Sequence, residues 1–131
     1  MIVDSSALLA VVFREARYEE ILDVVSGEDR LGIGSPTLAE TGLVLAATLG
    51  EDSRAVLARL AEDLDLTVIP FEAAHAREAR DAFLRYGRGR HPAKLNFGDC
   101  LTYAVAKLSR QPLLFIGDDF SQTDLASALP P

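Results

Sequence analysis

The sequence is poor in the residues that form disulfides or bind zinc. Its 131 residues include one cysteine, Cys100, and two histidines, His75 and His91. A single cysteine excludes an internal disulfide, so neither a disulfide scaffold nor a thiolate metal site is expected. Because Cys100 lies in an apolar helical run without an evident histidine partner, we interpret it as a small buried hydrophobe and not a nucleophile. This cysteine usage indicates a cytoplasmic protein.

Long hydrophobic runs are also absent, although 49% of the residues are hydrophobic. No stretch approaches the roughly 18 uninterrupted apolar residues that a membrane-spanning helix requires. We therefore expect one soluble domain over residues 1–131, with a large core and no membrane association. Met1 leads directly into an apolar segment without a basic region, so no signal peptide is expected.

Basic residues are few and concentrated in one segment. The chain has 13 Lys and Arg against 20 Asp and Glu, a net charge of −7, which by itself argues against a nucleic-acid partner. However, residues 85–94 contain Arg85, Arg88, Arg90 and Lys94 and no acidic residue. Since RNA backbones attract Lys and Arg, these four residues are candidate RNA contacts. The alternative is a solvated helix end and loop.

Hydrophobic periodicity predicts strands that alternate with helices. The predicted strands are residues 1–3, 31–34, 66–70 and 113–116, and the predicted helices are residues 7–13, 18–25, 36–50, 52–63, 72–84 and 97–109. We expect Ser35 and Asn96 to cap two of the helices. The strands are apolar throughout, which is typical of a parallel sheet covered by helices on both faces. The predicted fold class is therefore α/β, with three layers and a central, mostly parallel sheet.

Acidic residues lie at the ends of several of these apolar elements. Asp4 follows the first strand, Asp118 and Asp119 follow the last strand, and Glu40 and Asp99 fall in early turns of helices. Ligands of parallel sheets bind beyond the carboxyl ends of the strands, so we expect these residues to converge there. An all-oxygen ligand set without histidine or cysteine favours Mg²⁺ or Mn²⁺ over Zn²⁺.

Each of these acids also has a structural explanation. Asp4 could cap the first helix. Asp99, three residues after Asn96, could complement a helix dipole, and Asp118 and Asp119 could be turn residues. These explanations are credible separately, but their coincidence at one edge of the sheet favours a site.

Glu40 is explained less easily by solvation. It shares a helical stripe with Leu43, Val44 and Ala47, so its side chain is expected to project where apolar contacts form.

Five segments of the sequence together resemble a known family. They are Ile2-Val3-Asp4-Ser5-Ser6-Ala7-Leu8, Leu38-Ala39-Glu40-Thr41, Tyr86-Gly87-Arg88-Gly89-Arg90-His91, Leu95-Asn96-Phe97-Gly98-Asp99-Cys100 and Leu113-Leu114-Phe115-Ile116-Gly117-Asp118-Asp119-Phe120. They are similar to the PIN-domain ribonuclease toxins of the VapC type, from bacterial toxin–antitoxin pairs. The last two segments are the most specific. This resemblance implies a single PIN domain over residues 1–131.

The resemblance also implies roles for particular residues. Asp4, Glu40, Asp99 and Asp119 would form the acidic metal site, and Ser6 would support it. Asp119 matches the family motif better than Asp118, so the role of Asp118 as ligand or bystander stays open. The implied activity is Mg²⁺-dependent (or Mn²⁺-dependent) cleavage of transfer or ribosomal RNA, leaving 5′-phosphate and 3′-hydroxyl ends. The implied partners are a VapB-type antitoxin and a second copy of the chain.

Three other functions are compared with this one. Metal-independent cleavage through the RNA 2′-hydroxyl usually needs a positioned histidine. A phosphoacceptor signalling domain is expected to have paired acids after the first strand and a lysine near the last, and neither is present. A catalytically inactive PIN-like module that binds an antitoxin or RNA would use the acidic cleft only for recognition.

Overall fold

The computed structural model describes all 131 residues, Met1–Pro131. Four strands form the sheet: β1 (Ile2–Val3), β2 (Leu31–Gly34), β3 (Leu66–Ile69) and β4 (Leu113–Leu114). Six helices connect them: α1 (Ser5–Phe13), α2 (Tyr18–Ser26), α3 (Ser35–Leu49), α4 (Ser53–Asp63), α5 (Ala73–Tyr86) and α6 (Phe97–Ser109). Two short 3₁₀ turns lie at Gly50–Asp52 and Phe120–Gln122. The predicted order of strands and helices is confirmed.

All strand pairs are parallel, and the order across the sheet is β3-β2-β1-β4. The predicted α/β class is therefore confirmed, with a fully parallel sheet. Ile2 of β1 pairs with Gly32 on one side and Leu113 on the other. The chain leaves β1 towards β2 and reaches β4 only after crossing back from β3. The strand order thus reverses between β1 and β4, where such sheets form a ligand crevice.

Helices cover both faces of the sheet, as expected for three layers. Successive residues of a strand point to opposite faces, so Ile2 and Val3 belong to different cores. Ile2 packs with residues of α5 and α6, whereas Val3 packs with residues of α1 and α2. The strands β1, β2 and β4 are buried throughout. The edge strand β3 is half exposed, so the expectation of strands apolar on both faces is wrong for β3.

The starts of α1, α3, α4 and α5 differ from the predicted ones by one or two residues, and one predicted cap is wrong. Gly34, and not Ser35, is the N-cap of α3; Ser35 is already helical, and Pro36 lies in the first turn. Asn96 caps α6 as predicted, since its side chain accepts a hydrogen bond from Asp99 N at 2.9 Å. None of the helices combines the length and apolarity needed to cross a membrane.

Candidate active site

The carboxyl ends of β1 and β4 lie side by side and carry the first and last acidic positions. Asp4 N donates to Leu114 O at 2.9 Å, which pairs the end of β1 with the end of β4. After β4, Gly117 has a positive φ of 106°, a backbone conformation that favours glycine. This turn leads into Asp118 and Asp119, so residues from the two ends of the chain meet at the reversal of strand order.

Asp4 is a buried carboxylate surrounded by hydroxyl donors. Its residue is 7% exposed. Oδ2 accepts from Ser6 N at 3.1 Å and Ser6 Oγ at 2.6 Å, and Oδ1 accepts from Thr102 Oγ1 at 3.0 Å. Desolvation nevertheless raises the pKa of Asp4, and the charge of Glu40 adds to this effect. Asp4 is the N-cap of α1, so its structural explanation holds alongside its place in the acidic cluster.

Ser6 joins the two strand ends. Its hydroxyl donates to Asp4 and accepts from Ile116 N at 3.0 Å. Because Ile116 lies two residues after the end of β4, Ser6 ties the start of α1 to the turn that carries Asp118 and Asp119. This geometry suits the supporting role that the resemblance implies for Ser6.

The surroundings of Glu40 differ from those predicted. Leu43 is 73% exposed and Val44 and Ala47 are also exposed, while the buried positions of α3 are Thr37, Thr41 and Leu45. The expectation that Glu40 projects among apolar contacts is therefore wrong, because its stripe of α3 faces outwards.

Two neighbours hold the Glu40 carboxylate at the site. Ser5 Oγ donates to Glu40 Oε1 at 2.7 Å. A Cβ at Gly98 would collide with Glu40 Oε2, so the absence of a side chain at Gly98 lets this carboxylate approach the first turn of α6. Glu40 therefore lies next to the turn that contains Asp99.

Asp99 is half buried in the first turn of α6. Its Oδ2 accepts from Asn96 N at 3.1 Å, which completes a capping box with Asn96. The pKa of Asp99 is raised to about 6, chiefly by desolvation; the hydrogen bond from Asn96 opposes this rise, and the charges of Asp119, Asp4 and Glu40 add to it. The four acids thus act on one another electrostatically, as expected for a shared site.

The structure distinguishes Asp119 from Asp118. Both are exposed, and neither side chain forms a hydrogen bond or ion pair. Asp119, however, is among the charges that raise the pKa of Asp99, whereas Asp118 is not. The backbone carbonyl of Asp118 accepts from Ser121 Oγ at 2.6 Å, which is a turn contact. This arrangement favours Asp119 over Asp118 as the member of the cluster.

The cluster suits a hard cation in charge and donor type. The ion pairs of the molecule include none of its acids, so no Lys or Arg side chain neutralises them. Carboxylate oxygens are the ligands that Mg²⁺ and Mn²⁺ prefer. No three acidic, histidine or cysteine side chains are grouped closely enough to hold one ion in the present conformation. Joint ligation of one ion would therefore require some of these side chains to rotate.

The predicted basic residues divide into two groups. Arg85 Nη2 donates to Tyr86 Oη at 2.9 Å and lies 4.0 Å from Asp124, as the alternative of a helix-end residue implies. Arg88, Arg90 and Lys94 are exposed and form no ion pair. These three remain free to contact a polyanion.

The two histidines have structural contacts. His75 Nδ1 accepts from Glu72 N, and His91 Nδ1 accepts from Ala93 N, each at 3.0 Å. Cys100 is buried, and desolvation raises the pKa of its thiol to about 11. The thiol is protonated at neutral pH, which agrees with the interpretation of Cys100 as a buried hydrophobe.

Sequence reasoning missed Thr102 and Thr37. A hydroxyl has one hydrogen, and that of Thr102 is donated to Asp4, so Thr37 Oγ1 must donate to Thr102 Oγ1 across 2.9 Å. Both residues are buried. The sequence could have indicated Thr102 through its spacing, because it lies three residues after Asp99 and therefore near it on α6. Its partner Asp4 is 98 residues away and could not be inferred from α6 alone.

Comparisons with known proteins agree with this geometry. The PIN domain family matches residues 1–125. Ribonuclease VapC36 of Mycobacterium tuberculosis is 47% identical over 126 residues, which cover 95% of this chain and 91% of the relative.

Two solved structures share the fold. The Mycobacterium tuberculosis toxin VapC20, described as cleaving the sarcin-ricin loop, superposes with a TM-score of 0.80 at 18% identity over 98% of both chains. A toxin–antitoxin complex from Klebsiella pneumoniae gives a TM-score of 0.67 at 19% identity over 94% of this chain and 92% of the other. At these identities the structural likeness concerns the fold, and the sequence matches carry the assignment: this chain belongs to the VapC family of PIN-domain ribonucleases.

Proposed function

We propose that this protein is a Mg²⁺-dependent endoribonuclease and the toxin component of a type II toxin–antitoxin system. The observation that carries the proposal is the convergence of Asp4, Glu40, Asp99 and Asp119 at one sheet edge without a basic counterion. The ribonuclease name of the relative VapC36 supports the same activity. The reaction is hydrolysis of an RNA phosphodiester to 5′-phosphate and 3′-hydroxyl ends.

The roles of the acids follow from their surroundings. Bound Mg²⁺, or Mn²⁺, would supply positive charge to the phosphoryl oxygens and acidify a water molecule. Asp4 and Asp99 are the principal ligands in this proposal, because each is desolvated and held by hydrogen bonds in one orientation. Glu40 and Asp119 are more exposed and would complete the ligand shell or orient the attacking water. Asp118 is a bystander.

Backbone contacts would provide RNA affinity. Arg88, Arg90 and Lys94 are unpaired cations in the segment between α5 and α6, and Arg85 lies in the last turn of α5. Such residues bind phosphates without reading bases. The proposed substrates are transfer or ribosomal RNAs.

The proposed protein partners are a VapB-type antitoxin and a second copy of the chain. The outward stripe of α3, with Leu43 73% exposed and Val44 beside it, offers apolar surface for such contacts. A basic antitoxin side chain would find acceptors in the unpaired carboxylates. Copurification of a small partner is expected from cells that express both proteins, and a strictly monomeric chain at micromolar concentration would contradict the homodimer. We assign the protein to the cytoplasm, where such RNAs are found.

The decisive experiment is RNA cleavage with and without chelator. Purified protein should cut total RNA in Mg²⁺ or Mn²⁺, and EDTA should abolish the cleavage. Sequencing of 5′-phosphorylated fragments would then identify the target. Equal cleavage in EDTA, or fragments ending in 2′,3′-cyclic phosphate, would instead support metal-independent attack by the 2′-hydroxyl. RNA binding without any cleavage would support the inactive module.

A further inference from the structure

The first residue of α6, Phe97, is a large aromatic side chain that the fold leaves in solvent. It is 81% exposed, more than any other large apolar residue of the chain. Phe97 lines an open groove of about 660 Å³ between α5 and α6, whose walls include Phe71, Phe83 and Leu101. This volume is within the range of about 300–1,000 Å³ that is typical of sites for small organic groups.

Cations lie at the rim of this aromatic groove. The Arg90 guanidinium carbon lies 5.6 Å from the centre of the Phe83 ring, and Arg90 has no acidic partner. Arg80 also lines the groove, although Asp81 lies 3.3 Å from its guanidinium and offsets part of its charge. Aromatic side chains combined with unpaired cations are the usual components of single-stranded nucleic-acid sites, because the rings stack on bases and the cations bind phosphates.

Phe97 is also close to the acidic site. It lies two residues before Asp99 in the first turn of α6. Residues two apart in a helix point to roughly opposite sides of it, so Phe97 and Asp99 flank the start of α6, about one helix diameter of 10–12 Å or somewhat more apart. An RNA strand that crosses the start of α6 could therefore place a base one or two nucleotides from the reacting phosphodiester on the Phe97 ring.

We propose that the groove between α5 and α6 receives an unpaired base of the RNA substrate and that Phe97 is its stacking platform. This inference rests on the proposed ribonuclease function and adds a subsite to it. RNA-binding proteins commonly hold unstacked bases of loops and single strands on aromatic rings. Phe97 would thus select for unpaired RNA near the cleavage position, while Arg90 holds the adjoining phosphate.

The lack of tryptophan in the chain makes a direct test available. Phe97→Trp places a single tryptophan on the platform, and Leu84→Trp places a single tryptophan on an exposed position of α5 that does not line the groove. The probes are a short oligoadenylate and an abasic ribose-phosphate strand of equal length, in Ca²⁺ so that the strands stay intact. We expect oligoadenylate to quench Phe97→Trp, and neither strand to quench Leu84→Trp. Equal quenching of Phe97→Trp by both strands, or none by either, would overturn the proposal.

A second measurement separates stacking from a general apolar role. Phe97→Leu should weaken oligoadenylate binding about 5- to 150-fold, given about 1–3 kcal/mol per stacked base, and leave the abasic strand unaffected. Unchanged oligoadenylate affinity would contradict the platform. A shift of Phe97→Leu from dimer to monomer in light scattering would show that a second copy covers the groove, which also overturns it. Cleavage of RNA by the unmodified protein in Mg²⁺ tests the proposed function separately from these binding measurements.

Discussion

Two groups of carboxylates in this protein have opposite electrostatic surroundings. Asp124, after β4, accepts from Tyr103 Oη at 2.6 Å and from Lys107, and Arg85 lies 4.0 Å away. Desolvation raises the pKa of Asp124, but these hydrogen bonds and charges reverse the effect and lower it below its usual value. The acids around Asp99 have no cationic partner, and the pKa of Asp99 is raised to about 6.

The difference distinguishes a carboxylate that the protein itself neutralises from the carboxylates of the proposed metal site. Asp124 is stabilised by the protein itself, and its contacts fasten the C-terminal segment to α6. The cluster around Asp99 keeps negative charges together at a cost that the protein leaves uncompensated, which is typical of a site completed by a ligand. Substitutions in the cluster around Asp99 should therefore affect activity, and substitution of Asp124 should affect stability.

The largest expected effect is on activity at Asp99. Asp99→Asn keeps an oxygen that can accept from Asn96 N, so the capping box and the fold should persist. We expect RNA cleavage to fall on the order of 100-fold or more, as for losses at metal sites. Asp4→Asn should reduce cleavage to a similar extent. Rates of RNA cleavage in Mg²⁺, measured on folded protein, test this expectation.

Asp118→Asn is the matched control for Asp99→Asn and Asp4→Asn. It removes the same charge from an exposed position next to Asp119. Its rate should stay within about threefold of the unmodified protein, as expected for a surface position that the cluster does not use. A loss as large as that of Asp99→Asn would mean that Asp118 is a ligand after all.

Removal of the Thr102 hydroxyl should have the next largest effect. Thr102→Val deletes the hydrogen bond to Asp4 and leaves the Thr37 hydroxyl without its acceptor, at a cost of about 1–3 kcal/mol in unfolding free energy. Cleavage should fall about 10- to 100-fold, as for other partners of metal-ligating residues. Thr102→Ser keeps the hydroxyl and should retain most activity. A loss of activity in Thr102→Ser together with full activity in Thr102→Val would show that the methyl group matters, and not the hydrogen bond.

At the structural carboxylate, Asp124→Ala should affect stability and not chemistry. Loss of the Tyr103 and Lys107 hydrogen bonds should lower the unfolding free energy by about 1 kcal/mol, because the pair is partly exposed. Denaturant titrations would measure this, and cleavage per folded molecule should be unchanged. Because the pKa of Asp124 is lowered, its contribution should be lost as the pH falls below about 4. A large loss of cleavage in folded Asp124→Ala would remove the distinction between the two groups.

The smallest expected effect is on the way the unfolding free energy of the metal-free protein changes with pH. The raised pKa of Asp99 means that the folded state binds more protons than the unfolded state between about pH 4 and 6, so stability should decrease as the pH rises through this window. Asp99→Asn lacks this dependence. In EDTA it should be more stable than the unmodified protein by about 1 kcal/mol at pH 7, after allowance for solvent screening, and equally stable near pH 4. Equal stability at both pH values would contradict the raised pKa of Asp99.

Much of the fold could be predicted from local patterns. The apolar run Leu31–Gly34 and the Asn96 cap each depend on neighbouring residues only, and both predictions are confirmed. The orientation of α3 could not be predicted in this way. Its stripe with Leu43 and Val44 is as apolar as a core face, yet the buried positions of α3 include Thr37 and Thr41, and Thr37 is hydrogen-bonded to Thr102 of α6. Periodicity shows that a helix has an apolar side but does not show which element covers it.

The sequence by itself determined three features: the alternation of strands and helices, the acids at the ends of apolar elements, and the single basic segment. Those features depend on local propensity and on the direction of parallel strands. Only the tertiary structure decided which charges are compensated and which are not. Lys107 reaches Asp124 and no cation reaches Asp99, because the placement of side chains from distant segments depends on how the helices pack across the sheet.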